Sequence, residues 1–584
     1  MMNLNSMRVF CILQLFLLCQ PPAEADRKRT PEGRAPEREV RAVWITTVAG
    51  LDWPSSRKAS EQQASLAEMV ERLHRSGFNT IFFQVRGRGD ALYRSPLEPW
   101  SAVLTGSPGA DPGWDPLAFL LTEAHRRGID VHAWFNTYLV KGGKGVPRRT
   151  SPPHVMTEHP EWARRHADQW WLDPGEPGVE RHLISVARDL VARYDVDGLQ
   201  LDYLRYPGRD FDDGATYARY GKGTPRAEWR RGNITRLLER VRAALNEVDP
   251  LVKLGVTPIG IYRNPHGVRG LESFSDVFQD TYRWIERRLV DYIVPQLYWP
   301  IGGGNGDPDF AAMANEWREQ TTGCHLYLGI GSYKDEVLLQ SERLVEVARA
   351  SGAEGHAFFR YANIAPELPF SAYETKVLPP VMTWKDSVPP GPPAGLSVTM
   401  VGEARHLAWS APARGDEPGG YYAVYRMTGE KQHETRGERL LLIVPADVAS
   451  AEDTVPAGSG AVWYAVTRVD RSWNESAPVV ESPAQSAVVN PAELPPAGIL
   501  RLGTPWKPAA SRMFFLPFTL EERAMVNVTV RGFSGGDSLR VFREEKTAGG
   551  HVITLDLSVL GPGLYRCRVG AGGDVGEREI RIPR

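Results

Sequence analysis

Eight apolar, strand-like runs alternate with helical patterns from Arg41 to about Leu378 and predict a (β/α)8 TIM barrel, followed by two small all-β sandwich domains. Three observations carry this reading. The runs are apolar throughout, as in strands covered by helices on both faces. The stretches between them repeat apolar residues at helical spacing and close on glycines. Beyond a Pro/Gly linker the period changes to two, and turn residues separate short runs.

Taken in order, the runs are "RAVWITTVA", "FNTIFFQVR", "IDVHAWFNTY", "VDGLQLDYL", "VKLGVTPIG", "VDYIVPQLYW", "HLYLGIG" and "GHAFFRYANI". The helical stretch "EQQASLAEMVERLHRSG" ends in Gly77, and "DPLAFLLTEAHRRG" opens on Asp115 and Pro116 and stops at Gly128. An open doubly wound sheet is the rival, but no Gly-rich phosphate turn follows the first run. The barrel is assigned to residues 39–380. "VPPGPPAG" at residues 388 to 395 is a linker that suggests independent cores on either side. In residues 389–486, "PPAGLSV", "LAWSAP" and "YAVTRVDRSWNES" resemble a fibronectin type III domain. A second linker, "NPAELPPAG", leads to residues 498–584, where "AMVNVTVRGFSGG" and "GPGLYRCRVGAGG" resemble Ig-like C-terminal modules of exported bacterial enzymes.

The chain has 584 residues, too many for one core, with 42% hydrophobic and 24% charged content. A formal net charge of -2 offers no basic excess for nucleic acid. Seventeen Trp, twenty Tyr and nineteen Phe suit both cores and a site where rings stack on a ligand. Residues 1–25 are expected to be a signal peptide: Arg8 precedes the apolar run "VFCILQLFLLC", and "AEA" follows at residues 23 to 25. The run is too short for a stable membrane span, and Leu18 argues against lipidation at Cys19. The mature protein is expected to be exported, in the periplasm or outside the cell. Cys324 and Cys567 are far apart in sequence, so no disulfide framework is expected.

Reactive groups of such barrels sit where strands end and the βα loops begin. The first run leads to Asp52 and Trp53, and the second to Arg86, Asp90, Tyr93, Glu98 and Trp100. The third supplies His132, Trp134 and Asn136, and the fourth Asp202, Tyr203 and Arg205. Tyr262, Arg263 and Asp280 follow the fifth; Gln296, Tyr298 and Trp299 the sixth; Arg360 and Tyr361 the eighth. Neither a His/Cys cluster at metal-ligand spacing nor a Gly-x-Ser-x-Gly turn is present, so no metal and no cofactor is expected. Carboxylates with aromatics, amides and guanidinium groups are what glycosidic cleavage needs: an acid for the leaving oxygen, and a second group for the oxocarbenium-like centre. Each residue also has a plain structural role open to it. Asp202 could be a partner of Arg205, Glu98 a loop anchor, Asp280 a helix start and His132 a core residue.

"RAVWITTVAGLDWP", "NTIFFQVRGRGDALYRSPLEPWS", "DVHAWFNTY", "DGLQLDYLRYP", "QDTYRWI" and "VDYIVPQLYWP" resemble the glycosyl-hydrolase-like family 10 barrels of exported bacterial proteins. The resemblance implies hydrolysis of glycan strands, with peptidoglycan stripped of its peptides as a substrate class. It makes Asp202 the leading catalytic carboxylate. Members often carry two adjacent aspartates there; here Tyr203 takes the second place. Chitinase-like family 18 barrels end the same strand in Asp-Gly-x-Asp-x-Asp-x-Glu, but Gln200 and Leu204 stand in that frame. Glu98 and Asp280 are the candidate partners, Asp280 preferred because "QDTYRW" matches a family motif. A partner at about 5.5 Å implies retention and one at about 6.5–9.5 Å inversion, while none in either range implies help from the substrate's acetamido group. Arg86, Asp90, Trp100, His132, Asn136, Tyr203, Arg205, Gln296, Tyr298 and Trp299 are the expected substrate-binding residues. A non-catalytic glycan-binding envelope protein is the alternative function.

Overall fold

The computed structural model describes residues 36–143, 145–265, 267–303, 306–401, 404–412, 420–428, 440–455, 462–480, 486–488, 500–502, 513–520, 523–532, 539–546, 549–556, 560, 563–571 and 574–582. The expected signal peptide and the second linker lie outside the described residues.

Eight parallel strands close into a barrel: β1 (Val40–Ile45), β2 (Thr80–Arg86), β3 (Asp130–Asn136), β4 (Gly198–Asp202), β5 (Lys253–Val256), β6 (Tyr292–Ile293, continued as Gln296–Leu297), β7 (His325–Ile330) and β8 (Gly355–Phe358). Each pairs with its neighbour in sequence, and β8 pairs with β1. The barrel is filled by side chains, as side-chain layers require in a barrel of eight strands. Trp44, Phe82, Trp134, Tyr292 and Tyr327 form one interior cluster. Two glycines make room for it. A Cβ on Gly198 would stand 2.6 Å from His132 Nδ1, and one on Gly255 2.0 Å from the Tyr292 ring. Helices such as Ala59–Arg75 and Pro177–Arg193 bury their apolar faces on the outside of the strands.

An antiparallel three-stranded sheet, Leu139–Gly142, Ala163–His166 and Gln169–Leu172, is inserted between β3 and β4. Beyond the barrel come several small antiparallel sheets. Two of four strands each, spanning residues 394–488, share a core that includes Leu396, Trp409, Tyr422 and Tyr464. A three-stranded and a four-stranded sheet within residues 500–582 enclose Leu516, Val528, Leu555 and Val569.

The segment just before the linker packs on the barrel, and the sheets of residues 394–488 touch the barrel through Arg471. Met382 is 2% exposed and completes the interior cluster of the barrel. Trp384 Nε1 and Lys385 Nζ reach Asp291, just before β6, at 2.9 and 3.0 Å. Arg471 pairs with Asp195 and Asp249 at 2.9 and 3.0 Å. These aspartates precede β4 and β5. These contacts of the sandwich lie on the N-terminal face of the barrel, opposite the face where the strands end.

Candidate active site

β4 delivers Asp202 to the C-terminal rim, 8% exposed. Its register places it beside Asn136, and the Thr137 N–H donates to the Asp202 carbonyl at 2.8 Å. The next residue, Tyr203, adopts φ of 50°, a left-handed turn that swings the chain off the strand. That turn brings the Tyr203 N–H to Asp202 Oδ1 at 2.6 Å. Trp134, on the neighbouring strand, donates its indole N–H to Oδ2 at 3.2 Å. One layer below, Trp44 donates to Gln200 Oε1 at 2.8 Å, so the carboxyl stands on a floor of two indoles and an amide. Burial pushes the Asp202 carboxyl up to about 6, against the Tyr203 N–H, the charge of Arg205 and the Trp134 indole.

Aromatic rings wall one side. Tyr298 stacks on Phe359 with centroids 5.5 Å apart and meets Tyr333 edge-on at 5.7 Å. Phe359 in turn lies 5.9 Å from Trp44 and 6.1 Å from Trp134. Gly331, at the end of β7, permits this approach, because a Cβ there would be 2.6 Å from Tyr298 Cβ. Tyr333 is 46% exposed and stands at the mouth. Burial, reinforced by the charge of Asp202, holds the Tyr298 phenol well above its usual range, so it keeps its proton. On the other side Trp171 of the inserted sheet, 1% exposed, backs Tyr203 from within the core. Arg205 packs beside both rings, 5.2 and 5.1 Å from the centroids of Trp171 and Tyr203, which are 5.6 Å from each other.

Other expected site residues are placed elsewhere. Glu98 is completely buried and takes both its oxygens to Arg86, with contacts of 3.0, 2.8 and 2.6 Å. Burial alone would raise its pKa, but Arg86 and His182 hold it at about 2. It offers neither a proton nor an open face to a glycan. Arg86 also donates to the carbonyls of Asn136 and Thr137, so the pair fixes the end of β3 from beneath. Trp100, 8% exposed, belongs to the outer core and presents no ring for stacking. His132 is two residues below Trp134 inside the barrel, bonded to Tyr292 Oη at 2.6 Å, too deep for a ligand at the rim. Asn136 donates to the Gly87 carbonyl at 2.8 Å, and Asp90 accepts the Arg88 N–H at 2.8 Å in a tight turn. Gln296 and Trp299 are half-buried; a Cβ on Gly260 would be 2.8 Å from the Trp299 ring.

Asp280 is on the flank of the barrel. It accepts the Tyr262 hydroxyl at 2.8 Å and lines an open cavity of about 920 Å³ with Tyr262, Tyr282, Arg283 and Gln320. Asp52 and Arg360 form an ion pair of 2.6 Å that ties the loops after β1 and β8 together. Sequence reading missed Tyr333 and Phe359, and Trp171 behind Tyr203. Phe359 directly follows β8 and Tyr333 lies three residues past β7, so strand-end position could have found both.

The glycosyl hydrolase-like 10 family model matches residues 39–343. The chain is 37% identical over 344 residues to "Glycosyl hydrolase DigH" of Escherichia coli K12, covering 54% of this chain and 76% of that protein. It is 31% identical over 481 residues to "Glycosyl hydrolase YngK" of Bacillus subtilis, covering 75% of this chain and 92% of the relative. Among solved structures, the PgaB glycoside hydrolase domain of Bordetella bronchiseptica matches with a TM-score of 0.40 and 13% identity, over 57% of this chain and 96% of that domain. With the family model spanning more than half of the sequence, the chain belongs to the glycosyl hydrolase-like 10 family.

Proposed function

We propose that the protein is an exported glycoside hydrolase that cleaves N-acetylated glycan strands, with peptidoglycan freed of its stem peptides as substrate. The observation that carries this reading is Asp202: a carboxyl raised to about 6, set on an indole floor at the strand-four rim. Near neutral pH such a group keeps a usable fraction of its protons and can give one to the glycosidic oxygen. Glu98 is taken up by Arg86 and Asp280 lies with Tyr262 beside a separate cavity, so this reading gives the attack to the carbonyl oxygen of the substrate's own 2-acetamido substituent. It bonds to the anomeric carbon as the leaving oxygen takes the Asp202 proton. Water then attacks that carbon, returns a proton to Asp202 and frees the acetamide. Tyr298, protonated and lining the same wall, is suited to hydrogen-bond the acetamido oxygen, and Tyr333 to cover a sugar face. Export is supported by the N-terminal apolar run, and the β domains fit fibronectin type III-like and Ig-like spacers.

The full chain incubated with amidase-treated peptidoglycan should release new reducing ends. Asp202→Asn should lower the rate by roughly 10²–10⁴-fold, the worth of a positioned acid. Undiminished turnover in that variant would remove Asp202 from the chemistry. A wild type that binds the strands without cutting them would favour a glycan-binding role, the reading that the lone carboxyl also supports.

A further inference from the structure

Asp280 opens the short helix Thr281–Glu286 but does not cap it with its side chain. The carboxyl turns away from that helix and takes the Tyr262 hydroxyl on Oδ1 at 2.8 Å, beside the open flank cavity of about 920 Å³. Among the described residues it has no other side-chain partner, which leaves Oδ2 unengaged. Tyr262 and Tyr282 form an aromatic wall of this cavity, their rings stacked with centroids 3.7 Å apart and 23° between planes. Trp317 meets Tyr282 edge-on at 5.7 Å and donates to the Gly260 carbonyl at 2.7 Å, so the wall is anchored to the barrel. Tyr262 stands beyond the end of β5, whereas Gln320 closes the helix Phe310–Gln320 that leads back to the start of β7. The lining therefore runs along the flank of the barrel and not across its rim.

Two carboxylates, Asp280 and Glu286, and two guanidinium groups, Arg283 and Arg287, face this cavity, so its lining carries no net charge and favours neither an anion nor a cation. Arg287 is held by Glu239, while the exposed side chains of Arg283 and Gln320 have no partner among the described residues. An acceptor, a guanidinium fork and an amide beside stacked rings suit an uncharged polyol. Its hydroxyls donate to a carboxylate and accept from N–H groups at once, and its C–H faces pack on the rings. The volume is within the roughly 300–1,000 Å³ of small-molecule sites. We propose that Asp280, Arg283 and Gln320, against the Tyr262–Tyr282 wall, form a second binding site for uncharged sugar residues of the glycan strand, remote from Asp202. This rests on the glycan reading above and adds to it a place where the polymer is held without being cut. A strand anchored on the flank presents its remaining length to the rim at a raised effective concentration.

The test combines Arg283→Ala and Gln320→Ala in the full chain, two exposed positions whose loss should leave the thermal midpoint unchanged. On long peptide-free peptidoglycan strands the double variant should raise KM on the order of 3–10-fold, the worth of one or two exposed hydrogen bonds, with kcat unaltered. Arg283→Lys should keep part of the binding that Arg283→Ala loses. The same pair of changes placed in the Asp202→Asn protein reads binding without turnover, by co-sedimentation with the strands. An uncharged linear polymer of N-acetylglucosamine should show the same loss as the strands. Unchanged KM and unchanged co-sedimentation would overturn the flank site, and so would a kcat that falls along with the affinity. A loss confined to the acid-bearing strands would overturn its preference for uncharged sugars. Strands that are bound through Arg283 and Gln320 but never cut by the wild type would count against the hydrolase reading and leave the flank site standing.

Discussion

Trp473, in the first β domain, donates its indole N–H to Asp130 Oδ2 at the start of β3, 3.0 Å away. It is 1% exposed and lies flat on Tyr421, centroids 5.3 Å apart with 9° between planes. Asp130 is shared with Lys253 of β5, so one carboxylate joins two barrel strands to the sandwich. Arg38, ahead of β1, donates to the Trp473 carbonyl at 2.8 Å and to Glu475 at 2.9 Å. The barrel's lower face is thus finished by residues nearly a hundred positions beyond it.

A barrel cut near Pro389 should therefore be weaker than the full chain. Trp473→Ala alone should cost about 3–5 kcal/mol at this interface. The thermal midpoint of the barrel transition should drop by roughly 5–10 °C on truncation, read by calorimetry alongside the intact protein. A truncated barrel melting at the same temperature would show that the sandwich lends it nothing.

Much of this architecture could be read from the chain, and the reasons differ by element. The strands were legible because burial under helices makes them continuous apolar runs, and Asp202 because the alternation along "DGLQLD" points it inward at the rim. Glu98 was not. Its loop folds back so that the Ala91 N–H meets the Pro99 carbonyl, and that non-local pairing carries the carboxylate under the rim to Arg86. His132 shares its face with Trp134 and Asn136, but depth along a strand decides which of the three meets a ligand. Asp280 followed a motif whose sequence says nothing of which side of the barrel it reaches. Trp171 sits in an inserted sheet that no barrel periodicity anticipates.

The Arg86–Glu98 pair gives a second prediction. Glu98→Gln leaves a fully buried guanidinium without its counter-charge and should destabilise the protein by about 3–5 kcal/mol. Because the pair supports β3 and does not face the glycan, the remaining folded enzyme should keep its pH profile. Denaturant midpoints together with kcat per folded molecule check this. An altered pH profile at unchanged stability would return Glu98 to the chemistry.

Removing only the hydroxyl of Tyr298 separates its ring from its proton. Tyr298→Phe keeps the stack on Phe359 and should lower kcat on the order of 10²-fold, as loss of one preorganised donor does, with KM nearly unchanged. Tyr333→Ala should do the reverse, raising KM by several-fold through the lost ring contact. Steady-state kinetics on peptide-free strands distinguishes the two patterns, and identical behaviour of both variants would argue against distinct roles.

The raised pKa of Asp202 makes a prediction about stability as well as rate. An acid whose folded pKa is above its unfolded value favours the folded state in its neutral form. That contribution is complete below about 4 and is lost as pH rises through about 6. A shift of about two units corresponds to roughly 3 kcal/mol. Asn copies the protonated acid, with one carbonyl oxygen and one donor, and cannot ionise. Asp202→Asn and wild type should therefore have similar urea midpoints at pH 4, while at pH 8 the variant should be more stable by up to about 3 kcal/mol. The same ionisation removes the proton needed for cleavage, so wild-type kcat/KM should fall about tenfold per pH unit above 6. Stability that rises at the expense of activity is the expected mark of a carboxyl buried for chemistry. A variant no more stable than wild type at pH 8 would mean that the carboxylate is well solvated there, and the acid role would lose its physical basis.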